Sequence, residues 1–274
     1  MPHPLVAALA GATALFPARS HAPPVVTVVA TEYRLEMPAT LAAGPTTFRL
    51  ENRGRELHHL MLVRLEPGHT AADYVAALKK GGPPPSWASE AGGPNGVDPG
   101  GTSLPVTVPL QAGHYAAVCI IPGPDGAPHL FKGMARDLDV TPSQTRVSKA
   151  SLTGEAPPRD TVTLVDYGYQ SSRPFAAGTH RVLVRNAGKQ AHEMEIARLL
   201  PGKTPGDLAA WAEKMAGPPP ARFVGGVSPI AVGGANDLAL TLEPGHYVLL
   251  CFVPDAADGK PHVAHGMVHD FTVR

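Results

Sequence analysis

From Gly113 the chain reads GHYAAVCIIPGPDGAPHLFKGM, ending at Met134, and from Gly245 it reads GHYVLLCFVPDAADGKPHVAHGM, ending at Met267. Each stretch sets out Gly-His-Tyr, a Cys, a Pro/Gly/Asp-rich loop, Pro-His and Gly-Met. Cys119, His129 and Met134 in the first copy, and Cys251, His262 and Met267 in the second, are soft and borderline metal ligands. The protein has 2 cysteines, and they fall at matching places. A metal site is the first reading. A structural loop around a buried thiol is the rival, since a free Cys behaves as a small hydrophobe.

Outward from these stretches the duplication extends upstream. ENRGRELHHLMLVRLEPGHT (51–70) matches RNAGKQAHEMEIARLLPGKT (185–204), so that Asn52 stands with Asn186, His58 with His192, Gly68 with Gly202 and Thr70 with Thr204. Both halves then run through a helical stretch to Gly-Pro-Pro-Pro, at 82–85 and 217–220. Repeat one spans 23–141 and repeat two 161–274, joined by a polar, Pro-containing linker at 142–160. That linker gives no reason to expect the two cores to be fused. Residues 1–22 hold an apolar run from Leu5 to Phe16 and read as a secretory signal peptide, although no Lys or Arg precedes the run. No later segment is apolar and long enough for a membrane span.

The local patterns are those of short strands between turns. Val25–Ala30, Thr46–Glu51 and His58–Leu65 open repeat one, and Thr161–Asp166, Thr179–Arg185 and Glu193–Leu199 open repeat two. A short helix follows in each. Thr70 with Asp73 forms a capping signature, and Tyr74, Val75 and Leu78 make an apolar face that packs on a sandwich. In the second copy Thr204 caps, Pro205 takes the first turn, and Leu208, Trp211 and Met215 form the face. The Gly/Pro-rich passages after the helices read as loops. Closing strands run through 104–109, 114–120 and 135–140, and through 238–242, 246–253 and 268–273. The expectation is an all-β protein of two tandem Greek-key β-sandwich domains, each with a short helical insertion.

Three candidate ligands lie in each closing loop, and His58 or His192 supplies a fourth from the start of a strand. Two imidazoles, a thiolate and a weak axial thioether are the donors of a blue-copper site. The pattern resembles the cupredoxins, the plastocyanin-like blue copper family: an early His, then Gly-x-Tyr, three residues, Cys, Pro-His, four residues and Met. Gly113-His114-Tyr115, Cys119, Pro128-His129 and Met134 follow it, as do Gly245-His246-Tyr247, Cys251, Pro261-His262 and Met267. The Cys–His loops, 120–128 and 252–261, are longer than in plastocyanin-like proteins. The resemblance implies a β-sandwich with one type 1-like copper per repeat, His58, Cys119, His129 and Met134 in the first and His192, Cys251, His262 and Met267 in the second. It implies one-electron transfer, or copper holding and delivery, in a periplasmic or secreted protein with a redox or copper-accepting partner. A metal-free extracytoplasmic interaction module is the alternative.

Other classes find little support. Lys+Arg and Asp+Glu are both 23, so no basic face for nucleic acid is implied. No His-x-His pair of the multicopper oxidase kind occurs, and no His adjoins either Cys as in two-domain nitrite reductases, so an enzyme is disfavoured. Zinc could use the same Cys and His, but a thioether favours copper. A Cys119–Cys251 disulfide is not expected, because equivalent positions in tandem repeats rarely meet. His59, His265 and His269 lack a counterpart in the other repeat, and His114 and His246 read as solvated.

Overall fold

A computed structural model describes residues 22–143, 160–212 and 217–274. The leader, most of the linker and Met215 of the second helix face lie outside the described residues. Repeat one contributes β1 (Val25–Thr31), β2 (Arg34–Glu36), β3 (Thr40–Ala42), β4 (Gly44–Asn52), β5 (Met61–Leu65), α1 (Ala71–Lys79), β6 (Ala88–Gly92), β7 (Val106–Leu110), β8 (Gly113–Val118) and β9 (Ala135–Thr141). Repeat two contributes β10 (Asp160–Val165), β11 (Gly168–Ser171), β12 (Gly178–Asn186), β13 (His192–Leu199), α2 (Pro205–Ala212), β14 (Ala221–Ile230), β15 (Ala235–Leu242), β16 (Gly245–Leu250) and β17 (Val268–Val273).

Alternation along these strands builds two sheets. Val26, Val28 and Ala30 of β1 point inward, as do Thr46, Phe48, Leu50 and Asn52 of β4, with more exposed neighbours between them. One sheet has the order β11-β10-β12-β15-β7-β4-β1-β2, the other β17-β16-β13-β14-β6-β5-β8-β9-β3. Both cross the repeat boundary. They do so between equivalent strands, β15 with β7 (Asp237↔Thr107, Leu238↔Val106) and β14 with β6 (Ile230↔Ala91). The arrangement is a pseudo-two-fold, the geometry by which one surface pairs with a copy of itself.

Separate cores are therefore not what this chain forms. Phe48, Leu50, Leu62 and Leu138 of repeat one share one buried cluster with Val184, Ile196, Leu240 and Leu249 of repeat two. Two of the four strands responsible, β7 and β15, fall on expected strands; the other two, β6 and β14, lie in the passages that read as loops. Their Gly and Pro content masks β6 and β14, whose double glycines, Gly92-Gly93 and Gly225-Gly226, all have positive φ. Likewise, β5 starts only at Met61; His58 is held by an isolated bridge to Val97.

The helices lie on the outer face. In α1 the Thr70 hydroxyl accepts from Asp73 N at 3.2 Å while Asp73 accepts from Thr70 N at 2.9 Å, a complete capping box. Tyr74 packs with Met61, Val63 and Val118; Leu208 of α2 packs with Ala197, Phe223 and Val248. The Gly-His-Tyr motif has a structural job. Tyr115 donates to the carbonyl of Gln111 (3.1 Å) and Tyr247 to that of Glu243 (3.0 Å), pinning each turn to its own strand. His114 and His246 sit beside Asp139 (2.6 Å) and Asp270 (3.3 Å) at the surface.

Candidate metal centres

Each site begins with an Asn that shapes the chain before the early His. Asn52 Nδ2 donates to the carbonyls of Glu56 (2.8 Å) and Val97 (2.7 Å), and its Oδ1 accepts from Gly54 N (2.9 Å). Asn186 makes the same bonds to Gln190, Ile230 and Gly188. A buried amide with these partners fixes the loop as a secondary-structure element would. The loop then delivers His58 or His192 into the end of the sandwich.

The closing loops are braced rather than loose. Pro122 bridges Pro128, and His129 N donates to Ile121 O at 3.0 Å. In repeat two Pro254 bridges Pro261, Asp255 N reaches Lys260 O (2.8 Å) and His262 N reaches Val253 O (2.9 Å). The extra length is spent on a closed hairpin. A 3-10 turn follows, and Gly133 (φ 113°) or Gly266 (φ 91°) reverses the chain so that Met134 N meets His129 O and Met267 N meets His262 O.

These elements bring together donors far apart in sequence. His58 Nδ1 lies 3.1 Å from His129 Nδ1, which is 3.5 Å from Cys119 Sγ. His192 Nδ1 lies 3.0 Å from His262 Nδ1, which is 3.3 Å from Cys251 Sγ. Within each set the three ligand atoms lie within 4.8 Å of one another. All six residues, with Met134 and Met267, are fully buried. Met134 packs in the same cluster as Cys119 and accepts from Cys119 N through its carbonyl at 3.1 Å.

The outward nitrogens meet carboxylates. His129 Nε2 is 2.8 Å from Glu56 and His192 Nε2 is 2.9 Å from Asp166. His58 Nε2 and His262 Nε2 each stand 3.6 Å from a carboxylate, of Glu32 and Asp255, and have no hydrogen-bond partner. A carboxylate requires Nε2–H, which leaves a bare lone pair on Nδ1. In each site two such lone pairs would then face each other across about 3 Å. Moving a proton to one Nδ1 relieves that clash but turns a bare Nε2 toward a carboxylate. A cation between the two Nδ1 atoms takes up both lone pairs and lets each Nε2–H face its carboxylate, so the residues fit a metal ion.

Electrostatics agree. Burial holds His58 and His262 down to about 4, keeping them neutral as ligands must be. Burial pushes the Cys119 thiol up to about 12 and the Cys251 thiol well above its ordinary value. A thiol so placed gives up its proton only to a cation.

The outer shell was missed in the sequence, although one signal was there. The pairs Glu32-Tyr33 and Asp166-Tyr167 are equivalent. The acid faces the early His, while the Tyr holds the carboxylate under the late one: Tyr33 donates to Glu56 (3.1 Å) and Tyr167 to Asp255 (2.6 Å). The Tyr167 bond, with that of Gln190, holds the Asp255 carboxyl well below the usual range. His59 also has a positional counterpart, Glu193, hidden because the residue type changed. Room for the outer pairs comes from glycine: a Cβ on Gly54 would lie 2.5 Å from Glu32 Oε1 and 2.8 Å from His58 Nε2. Gly54→Ala should therefore weaken metal binding at the first set by roughly 10–100-fold, the usual cost of disturbing an outer partner, and spare the second. Metal titration read separately at each set checks this.

No family model and no curated protein matches the chain. Among solved structures it is similar to auracyanin A, a blue copper protein from Chloroflexus aurantiacus, at 22% identity and TM-score 0.32, covering 44% of this chain and 100% of that one. Auracyanin from Roseiflexus castenholzii gives 20% identity and TM-score 0.30 over 42% of this chain and 94% of that one. Copper nitrite reductase from Nitrosomonas europaea gives 13% identity and TM-score 0.28 over 92% and 94%. In fold, the described residues are mostly β, arranged in two sheets that both run through the two repeats.

Proposed function

We propose that the protein binds one type 1-like copper in each repeat and carries electrons, one at a time, without catalysing a reaction itself. In this reading residues 23–141 and 161–274 are two cupredoxin-like units. His58, Cys119 and His129 hold the first metal with Met134 as the weak axial donor; His192, Cys251, His262 and Met267 hold the second. Copper so held supplies a one-electron couple whose ligands need not rearrange. The observation that carries the reading is the pair of facing Nδ1 atoms beside a buried thiol, with both outward nitrogens turned to carboxylates.

Burial and outer bonding favour electron transfer over copper delivery. Every proposed ligand is shielded and every loop that would open is braced, so release would disrupt a packed end of the sandwich. The leader reading places the work in the periplasm or outside the cell, with a redox protein as partner. Among the described residues no helix is long and apolar enough to cross a membrane. Addition of copper should give two equivalents per chain and an intense thiolate-to-copper band, retained through reversible oxidation and reduction in voltammetry. A colourless, copper-free protein overturns the reading and leaves the interaction module; copper lost on reduction favours delivery.

A further inference from the structure

The two ligand sets are joined by buried polar side chains that no ligand role explains. His59 follows His58, and its backbone N–H points at Cys119 Sγ (3.5 Å). Its ring reaches back to the same segment: Ile120 N–H donates to His59 Nε2 at 2.9 Å. Glu193 does the same in repeat two, N–H to Cys251 Sγ at 3.5 Å and Oε1 accepting from Phe252 N at 2.6 Å. Between them sits Asn95, from the passage after β6. His59 Nδ1 lies 3.2 Å from Asn95 Oδ1, and Asn95 Nδ2 donates to Glu193 Oε2 at 3.0 Å.

The directions of these bonds are determined. Nε2 of His59 accepts, so the ring proton is on Nδ1 and is donated to Asn95 Oδ1. The Asn95 amide then has its donors for Glu193 and for Val227 O (3.4 Å). A continuous run of covalent and hydrogen bonds thus passes from Cys119 Sγ through His59, Asn95 and Glu193 to Cys251 Sγ. All three bridging residues are buried. Burying a His, an Asn and a Glu in one core is costly unless each is bonded, and apolar residues would have sealed the junction without that cost.

We propose that His59, Asn95 and Glu193 are the path by which an electron crosses between the two sets, an inference that rests on the copper reading above. One electron leaves Cu(I) at one set and reduces Cu(II) at the other; no bond forms or breaks, and each hydrogen bond keeps its proton. An external one-electron donor and acceptor, each a redox protein, could then use opposite ends of the pseudo-two-fold molecule. The three bridging residues are positioning residues, since none is a ligand.

Two measurements test this. In the metal-free protein the His59 Nδ1 proton should give a slowly exchanging NMR resonance that Asn95→Leu removes; a freely exchanging proton in the parent overturns the path. For the electron itself, Met267→Gln changes the axial donor and separates the second visible band from the first. Partial flash reduction should then show a phase, independent of protein concentration, in which one band recovers as the other bleaches. Asn95→Leu should slow that phase about tenfold, within the range by which removing one link alters a connected network. Asn95→Ser, too short to reach both partners but less crowding, should slow it with the native near-ultraviolet spectrum kept. An unchanged rate in a folded variant with both bands intact overturns the path and leaves the copper reading standing. Absence of both bands in the parent overturns both.

Discussion

Cys119→Ser should leave a protein that binds one copper, at repeat two, and Cys251→Ser one that binds it at repeat one. The basis is the origin of the donors: each thiol meets only imidazoles of its own repeat, His58 and His129 or His192 and His262. Fusion of the cores does not alter this, because the junction strands β6 and β14 bring no Cys to either set. Serine offers a hard, un-ionised hydroxyl where the soft thiolate is needed, so the visible band of that set should vanish. Both sulfurs are fully buried, and a hydroxyl there exchanges a well-packed atom for a polar one. A stability loss of about 1–3 kcal/mol in the metal-free protein follows, reduced to the extent that the hydroxyl accepts the N–H of His59 or Glu193. Copper stoichiometry and the visible spectrum of each variant decide the matter. Loss of all copper from either single variant would show that the metal lies between repeats and that the ligand assignment is wrong.

Gly226→Ala should be among the most destabilising single changes in the chain, at roughly 4 kcal/mol or more. Its φ is +150°, and a Cβ there would lie 1.9 Å from the carbonyl oxygen of Met194 on the paired strand β13. Backbone cannot turn aside as a side chain can, so β14 would have to move. That strand carries the junction with β6, and Gly226 O accepts from Asn95 N at 3.2 Å. The equivalent Gly93, φ +137°, would place a Cβ 2.4 Å from Leu60 O, so Gly93→Ala should act in the same direction. Gly259→Ala separates crowding from conformation, since Gly259 has φ +73° but nothing within 4 Å of its would-be Cβ. That change should carry only the backbone strain, about 1–3 kcal/mol. Denaturant midpoints at unchanged m-value give the comparison. If Gly226→Ala costs no more than Gly259→Ala, the close approach at the junction is not what the glycine serves.

Sequence alone determined the duplication, the all-β class and the candidate ligands. These are legible because they rest on local patterns: apolar alternation marks strands, Thr-x-x-Asp marks the helix starts, and the Cys–His–Met spacing recurs in two diverged copies. The Glu32-Tyr33 and Asp166-Tyr167 pairs were equally repeated but gave no local sign of their purpose. Their partners, His58 and Glu56 or His192 and Asp255, are set by how the loops fold back.

Tertiary structure alone decided that the two repeats share one core and that their sets are bridged. Glycines at or beside the ends and middle of the junction strands β6 and β14, Gly92-Gly93 and Gly225-Gly226, sit where other atoms approach closely, and glycine lacks the side chain from which a strand is recognised. The bridge was hidden for a related reason. His59 and Glu193 differ in type, and Asn95 stands in what reads as a loop, so no repeat pattern links them. Each accepts a backbone N–H beside its own Cys, and it is the pseudo-two-fold packing of equivalent strands that sets them on either side of one amide. Pairing between segments as far apart as Asn95 and Glu193, 98 residues, leaves no periodic trace in either segment, and only the folded chain brings their polar groups within hydrogen-bonding distance.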